Sequence, residues 1–76
     1  MSEKLPALTG NELIKVLEKI GFVVSRIRGS HHVLKHPEGK TTVVPVHSGE
    51  TIGPGLLRKI IRDSGLERNQ FMDLLS

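Results

Sequence analysis

The stretch "FVVSRIRGSHHVLKHPEGKTTVVPV", Phe22–Val46, decides the fold. It divides into three short runs rich in β-branched residues: "FVVSRIR" (22–28), "HHVLKH" (31–36) and "TTVVPV" (41–46). Turn-forming residues separate them, Gly29-Ser30 in the first gap and "PEGK" (37–40) in the second. Neither gap is long enough for the crossover that parallel neighbours require, so the three runs form an antiparallel meander. Gly29 is a structural turn residue, and Gly39 takes the positive φ of the second loop. Pro45 has no N–H to give to a ladder, which places the third strand at a sheet edge or ends it there.

Helical signals flank the meander on both sides. Thr9-Gly10-Asn11-Glu12 has the spacing of a capping box, in which the Thr9 hydroxyl and the Glu12 carboxylate each accept from the other's backbone N–H. Leu13, Ile14, Leu17 and Ile20 follow at helical spacing and Gly21 supplies a stop, giving a helix over about residues 10–20. After the loop "HSGETIG" (47–53), Pro54 suits the first turn of a second helix. Leu57, Ile60 and Ile61 form its apolar face with Leu56 beside it, Arg58, Lys59 and Arg62 stay in water, and Gly65 ends it. "ERNQFMDLLS" (67–76) is a short amphipathic segment that can pack on the body or serve a partner. The order is α-β-β-β-α with a short extra C-terminal helix, an α+β fold. Both main helices cover one face of a three-stranded antiparallel sheet, and the other face is at least partly open.

Seventy-six residues form one domain with a small core, and without cysteine no disulfide or thiolate metal site supports it. No signal-peptide or membrane-spanning run is present, which points to a soluble cytoplasmic protein. Charge is concentrated in the middle. Residues 21–62 hold Arg26, Arg28, Lys35, Lys40, Arg58, Lys59 and Arg62 against only Glu38 and Glu50, an excess of five, and all four histidines lie there too. Such a centre suits a polyanion; a plain solvated face has the same composition. Phe22 and Phe71 are the only aromatic residues, so an RNA ligand would be gripped by its backbone rather than by stacked bases.

His31, His32, His36 and His47 admit three chemistries. A shared metal ion is disfavoured, because neighbours on a strand point to opposite faces and no cysteine or carboxylate pair stands nearby. A nucleophile triad lacks parts: Ser30 beside His31 has no third group. General acid–base catalysis survives. Imidazole exchanges protons at neutral pH, RNA carries its own nucleophile in the 2′-hydroxyl, and Arg or Lys can stabilise the charge gathering on phosphorus. An ordinary polar hairpin remains the plainer alternative.

Four motifs in order give the chain a family likeness. They are Leu-x-x-x-Gly-Phe at 17–22, Gly-Ser-His-His at 29–32, Val-Pro-x-His at 44–47 and Gly-x-Leu-Arg-x-Ile-x-Arg-x-x-Gly-Leu at 55–66. Over residues 9–66, the core of a single domain spanning 1–76, the chain resembles the HicA toxins of toxin–antitoxin pairs. That resemblance implies a double-stranded-RNA-binding-domain-like fold and an mRNA endonuclease restrained by a HicB-family antitoxin. It implies His31 as the catalytic residue; the residues themselves call for no metal or other cofactor and no membrane partner. Arg26, Arg28, Ser30, Lys35 and His47 are the candidate RNA-binding residues beside it, with Arg28 and Lys35 preferred for charge stabilisation. Leu56 departs from the small polar residue expected at its position. The competing readings are a non-catalytic RNA-binding module of the same fold and a degenerate member kept for protein interaction.

Overall fold

A computed structural model describes residues 5–75. Its elements are α1 (Gly10–Glu18), β1 (Val23–Arg28), β2 (His31–Lys35), β3 (Thr41–Pro45), α2 (Pro54–Asp63) and α3 (Arg68–Leu74). The α-β-β-β-α order and the short terminal helix are as the sequence patterns require, with ends one or two residues shorter than the apolar runs. The strands form one antiparallel sheet in the order β1-β2-β3.

The capping box forms: Thr9 N–H donates to Glu12 Oε1 at 2.9 Å and Glu12 N–H to Thr9 Oγ1 at 3.2 Å. Helix α1 then buries Leu13, Ile14, Val16 and Leu17, and α2 buries Leu57, Ile60 and Ile61. Both helices lie against β3, where Val44 and Thr42 face them, as does Leu34 of β2. Phe22, Ile52 and Phe71 complete the core. The terminal segment packs on the body: Phe71 is fully buried, and Lys19 Nζ donates to Leu74 O at 2.7 Å. The loop before α2 is tied to the N-terminal segment by Ile52 N–H donating to Leu8 O at 2.7 Å and by a single bridge between Thr9 and Thr51.

The other face of the sheet is uncovered. Val23 and Val43 stand on it with 60% and 41% of their surface in water. One irregularity decides what else stands there. Val24 pairs with Leu34, but Arg26, not Ser25, pairs with Val33, so Ser25 is the extra residue of a β-bulge. Its hydroxyl donates to Val33 O at 3.2 Å. No helix of the described residues is long and apolar enough to cross a membrane.

Candidate functional site

Strict alternation would send Arg26 and Arg28 to the same face as Val24, which is the helix-covered face. The bulge at Ser25 reverses their sense. Beyond it, Arg26 pairs with Val33, Ile27 with His32, and Arg28 with His31. Cross-strand partners share a face, so both arginines join His31, Val33 and Lys35 on the open side. All four charged or titratable side chains there are exposed. Among the described residues, no carboxylate forms an ion pair with Arg26, Arg28 or Lys35, and no Asp or Glu stands on the β-strand positions of this face. The result is a cationic surface with a valine patch at its centre.

The turn that joins β1 to β2 has two central residues, Gly29 and Ser30. Gly29 adopts φ of +56°, as a first central residue of a tight hairpin turn does, and nothing crowds it. The turn brings Arg28 and His31 together as backbone partners, with Cα atoms about 5.5 Å apart in such a pair. Lys35 lies four residues along β2, about 13 Å from His31 at the rise of an extended strand. The Ser30 hydroxyl makes no hydrogen bond to His31 or to any other described residue; Ser30 contributes its carbonyl, which accepts from Val46 N–H at 2.6 Å. His47 follows β3, exposed, and its ring bonds no described residue.

The other two histidines leave this face. His32 points to the helix side, between Ile27 and Val44 in register. It is half-buried, and its Nδ1 is shut off from water without a hydrogen-bond partner. Ile27, on the same side, is 59% exposed because the helices do not extend over that end of β1. His36 is a structural staple. One ring nitrogen, Nε2, lies 2.8 Å from Ile20 O, to which it donates, and Nδ1 accepts from Glu38 N–H at 3.1 Å. The ring also meets Phe22 edge-on at 5.1 Å between centroids. It fills the space beside Gly21, whose φ of +102° and lack of Cβ let the chain leave α1 against it. Among the described residues, no three of His, Asp and Glu converge as metal ligands would.

The period of two pairs Arg26 with Arg28 on β1 and His31 with Lys35 on β2; the bulge at Ser25, which the sequence does not show, is what brings the two pairs to one face. Sequence reasoning missed the staple role of His36, for which adjacency to "HPEG" is no signal. It also missed Leu56, Lys59 and Asp63 of α2, which flank a groove that runs past Thr41, Val43 and Pro45 to His31.

The model of the family described as "HicA toxin of bacterial toxin-antitoxin" matches residues 10–66, from the first residue of α1 to just past α2. The chain belongs to the HicA toxin family. Its core, its hairpin histidines and its α2 all lie inside the matched span, and α3 lies outside it. As a HicA-family chain it is the toxin of a toxin–antitoxin pair, which implies an antitoxin as partner. No curated protein matches the chain.

Proposed function

We propose that this HicA-family chain is an endoribonuclease that cleaves mRNA with histidine as proton-transfer group and the RNA's own 2′-hydroxyl as nucleophile. The observation that carries the reading is the shared open face of Arg26, Arg28, His31 and Lys35, with no Asp or Glu at its β-strand positions. With both phenylalanines buried and no Tyr or Trp in the sequence, no phenyl, phenol or indole ring is left to stack on bases, so the grip falls chiefly on phosphates.

In the proposed reaction the 2′-oxygen gives up its proton to His31 and attacks the adjacent phosphorus. The bond from phosphorus to the 5′-oxygen breaks, and that oxygen takes a proton from solvent water, while the proton held by His31 returns to solvent. The products are a 2′,3′-cyclic phosphate and a 5′-hydroxyl end. Arg28, the backbone partner of His31, stands where it can stabilise the phosphorane at the same phosphate. Lys35, about 13 Å along the strand, is placed for a neighbouring phosphate rather than the scissile one. No metal ion is needed, because the nucleophile is internal and its activation needs only a base.

One observation favours a second assignment of the proton-transfer role. An imidazole with Nδ1 shut off from water exchanges protons through Nε2 alone, and His32 is such a ring. Its half-burial beside the uncovered end of β1 would hold it more rigidly than an exposed His31. In this version His31 binds phosphate and His32 moves the proton.

The test of the reaction class is an RNA oligonucleotide with a single 2′-deoxy substitution at a mapped cleavage site. Cleavage there should stop while neighbouring sites continue, with products ending in cyclic phosphate, and excess chelator should leave the rate unchanged. Cleavage of the deoxy position at an undiminished rate would show that water or a protein group attacks instead. The HicB-family antitoxin is the proposed partner that silences this activity.

A further inference from the structure

We infer that the free edge of β3, together with the adjoining flank of α2, is a docking groove for one extended segment of a protein partner, which adds to the sheet as a fourth strand. The inference rests on the antitoxin partnership for the partner's identity, and on the geometry of the edge for how it binds.

The ladder shows which backbone groups are spoken for. His36 N–H donates to Lys40 O at 2.8 Å and Val46 N–H to Ser30 O at 2.6 Å. These pairs are in register with Leu34–Thr42 and His32–Val44. In an antiparallel pair, hydrogen-bonded residues alternate with residues whose N–H and C=O point away. Thr41 and Val43 therefore turn both backbone groups toward the outside of β3. Pro45 has no N–H, and its carbonyl lies against Gly10 of α1, so the usable edge ends before it.

The edge has a wall. Leu56, Lys59 and Asp63 of α2 stand alongside it, and the groove between has a volume of about 310 Å³. Val43 and Leu56 are 41% and 38% exposed, an apolar pair on the two sides of the groove. Lys59 and Asp63 neutralise each other at 2.8 Å, so the wall carries little net charge. A strand beside a helix, with unpaired backbone on one side and apolar side chains on the other, recognises extended peptide: main-chain bonds give affinity and alternate side chains give specificity.

The other edge of the sheet contrasts with it. β1 carries a bulge and two exposed arginines, the devices that keep an edge from pairing. Nucleic acid does not fit the β3 groove, since it cannot satisfy N–H and C=O groups at the two-residue repeat. A second copy fits poorly, because two-fold pairing of β3 with β3 keeps both α2 helices on the same face of the sheet and brings the second α2 into the groove that the first one lines. The occupant is thus a strand without a helix beside it, with apolar side chains turned toward Leu56. Seated there it would lie next to Pro45, the backbone partner of His31.

The experiment is an NMR titration of the full ¹⁵N-labelled chain with a capped peptide, Glu-Val-Thr-Val-Thr-Glu, up to millimolar concentration. The expected result is slowed amide exchange and shifted resonances at Thr41, Val43 and Leu56, with Arg26 and Arg28 amides unchanged. Val43→Pro removes the outward N–H and should weaken binding at least tenfold, whereas Val43→Thr, which keeps it, should bind as the parent does. Leu56→Asp, on an exposed helix position, gives a second loss that does not touch the sheet. No change at millimolar peptide would overturn the inference. So would protection of Thr41 and Val43 that grows with chain concentration alone, which would mean a second copy, or the same protection from an RNA oligonucleotide. The probe is independent of any antitoxin: growth arrest that no antitoxin relieves would sink the partnership and leave the strand-binding edge standing.

Discussion

Arg28 and His31 are backbone partners across the turn at Gly29-Ser30, and both side chains leave the sheet on its open face. Lys35 shares that face but not that neighbourhood. The proposed roles therefore separate kinetically. Arg28→Gln should lower kcat about 10²-fold, the usual cost of one donor to a charge that develops in the transition state. Lys35→Gln should act chiefly on KM. Equal effects of the two on kcat would mean that the RNA crosses the strands in some other direction.

The two adjacent histidines can be told apart because β2 sends them to opposite faces. With His31 as base or acid, His31→Ala should reduce RNA cleavage by about 10²–10⁴ and abolish growth arrest, while His32→Ala costs less. The reverse order would assign proton transfer to the half-buried ring with the shielded Nδ1. Circular dichroism of both variants should be unchanged, since neither ring bonds another described residue.

An RNA grip made of phosphate contacts must weaken steeply with salt. Neutralising Arg26, Arg28 or Lys35 singly should each lower the slope of log affinity against log salt by about 0.7 for single-stranded RNA, with similar losses across unrelated sequences. A salt-insensitive affinity, or one lost for a single base sequence only, would contradict a grip made of phosphate contacts.

His36 is outside the site and should behave accordingly. Its ring joins the exit of α1 to the β2–β3 loop through Ile20 O and Glu38 N–H, and packs on Phe22. His36→Ala should destabilise the fold by about 1 kcal/mol or more, from a lost hydrogen bond and a part-buried carbonyl left without its donor. Urea denaturation would show this as a lower midpoint. The folded fraction should cleave RNA at the parental rate; a loss of activity beyond the loss of folded protein would bring His36 into the chemistry.

Most of the fold is legible in the sequence because its signals are local. Thr9 and Glu12 mark a helix start, and the two short gaps at 29–30 and 37–40 leave no topology but a meander. The face of His31, Lys35 and His32 also follows from the period of two. The face of Arg26 and Arg28 relative to His31 does not, because it depends on the bulge at Ser25, and one extra residue leaves no mark on a run as evenly β-branched as "FVVSRIR". The staple at His36 is likewise hidden, since its partner Ile20 lies on a different element and enters only through a backbone carbonyl. The groove beside β3 needs the tertiary placement of α2, which periodicity assigns to a face but not to an edge.

The capping box at the start of α1 gives the fold a pH dependence of known sign. The Thr9 backbone N–H, and after it the Thr9 hydroxyl, hold the Glu12 carboxyl below its ordinary value of 4.5. A carboxyl whose pKa is depressed by folding contributes stability above its unfolded value and loses it as pH falls through the lower folded value. The contribution of Glu12 is thus complete at neutral pH and disappears on the acid side of 4.5. Glu12→Gln keeps an acceptor for Thr9 N–H but cannot titrate. Urea midpoints of the parent and this variant should therefore converge as the pH is lowered past the ordinary carboxylate range. Thr9→Ala removes the hydroxyl cap and should cost about 1 kcal/mol at pH 7. That loss is felt by the whole fold, because α1 carries Leu13 and Leu17, both fully buried. A gap between parent and Glu12→Gln that widened toward acid pH would reverse the sign and remove the capping carboxylate as its cause.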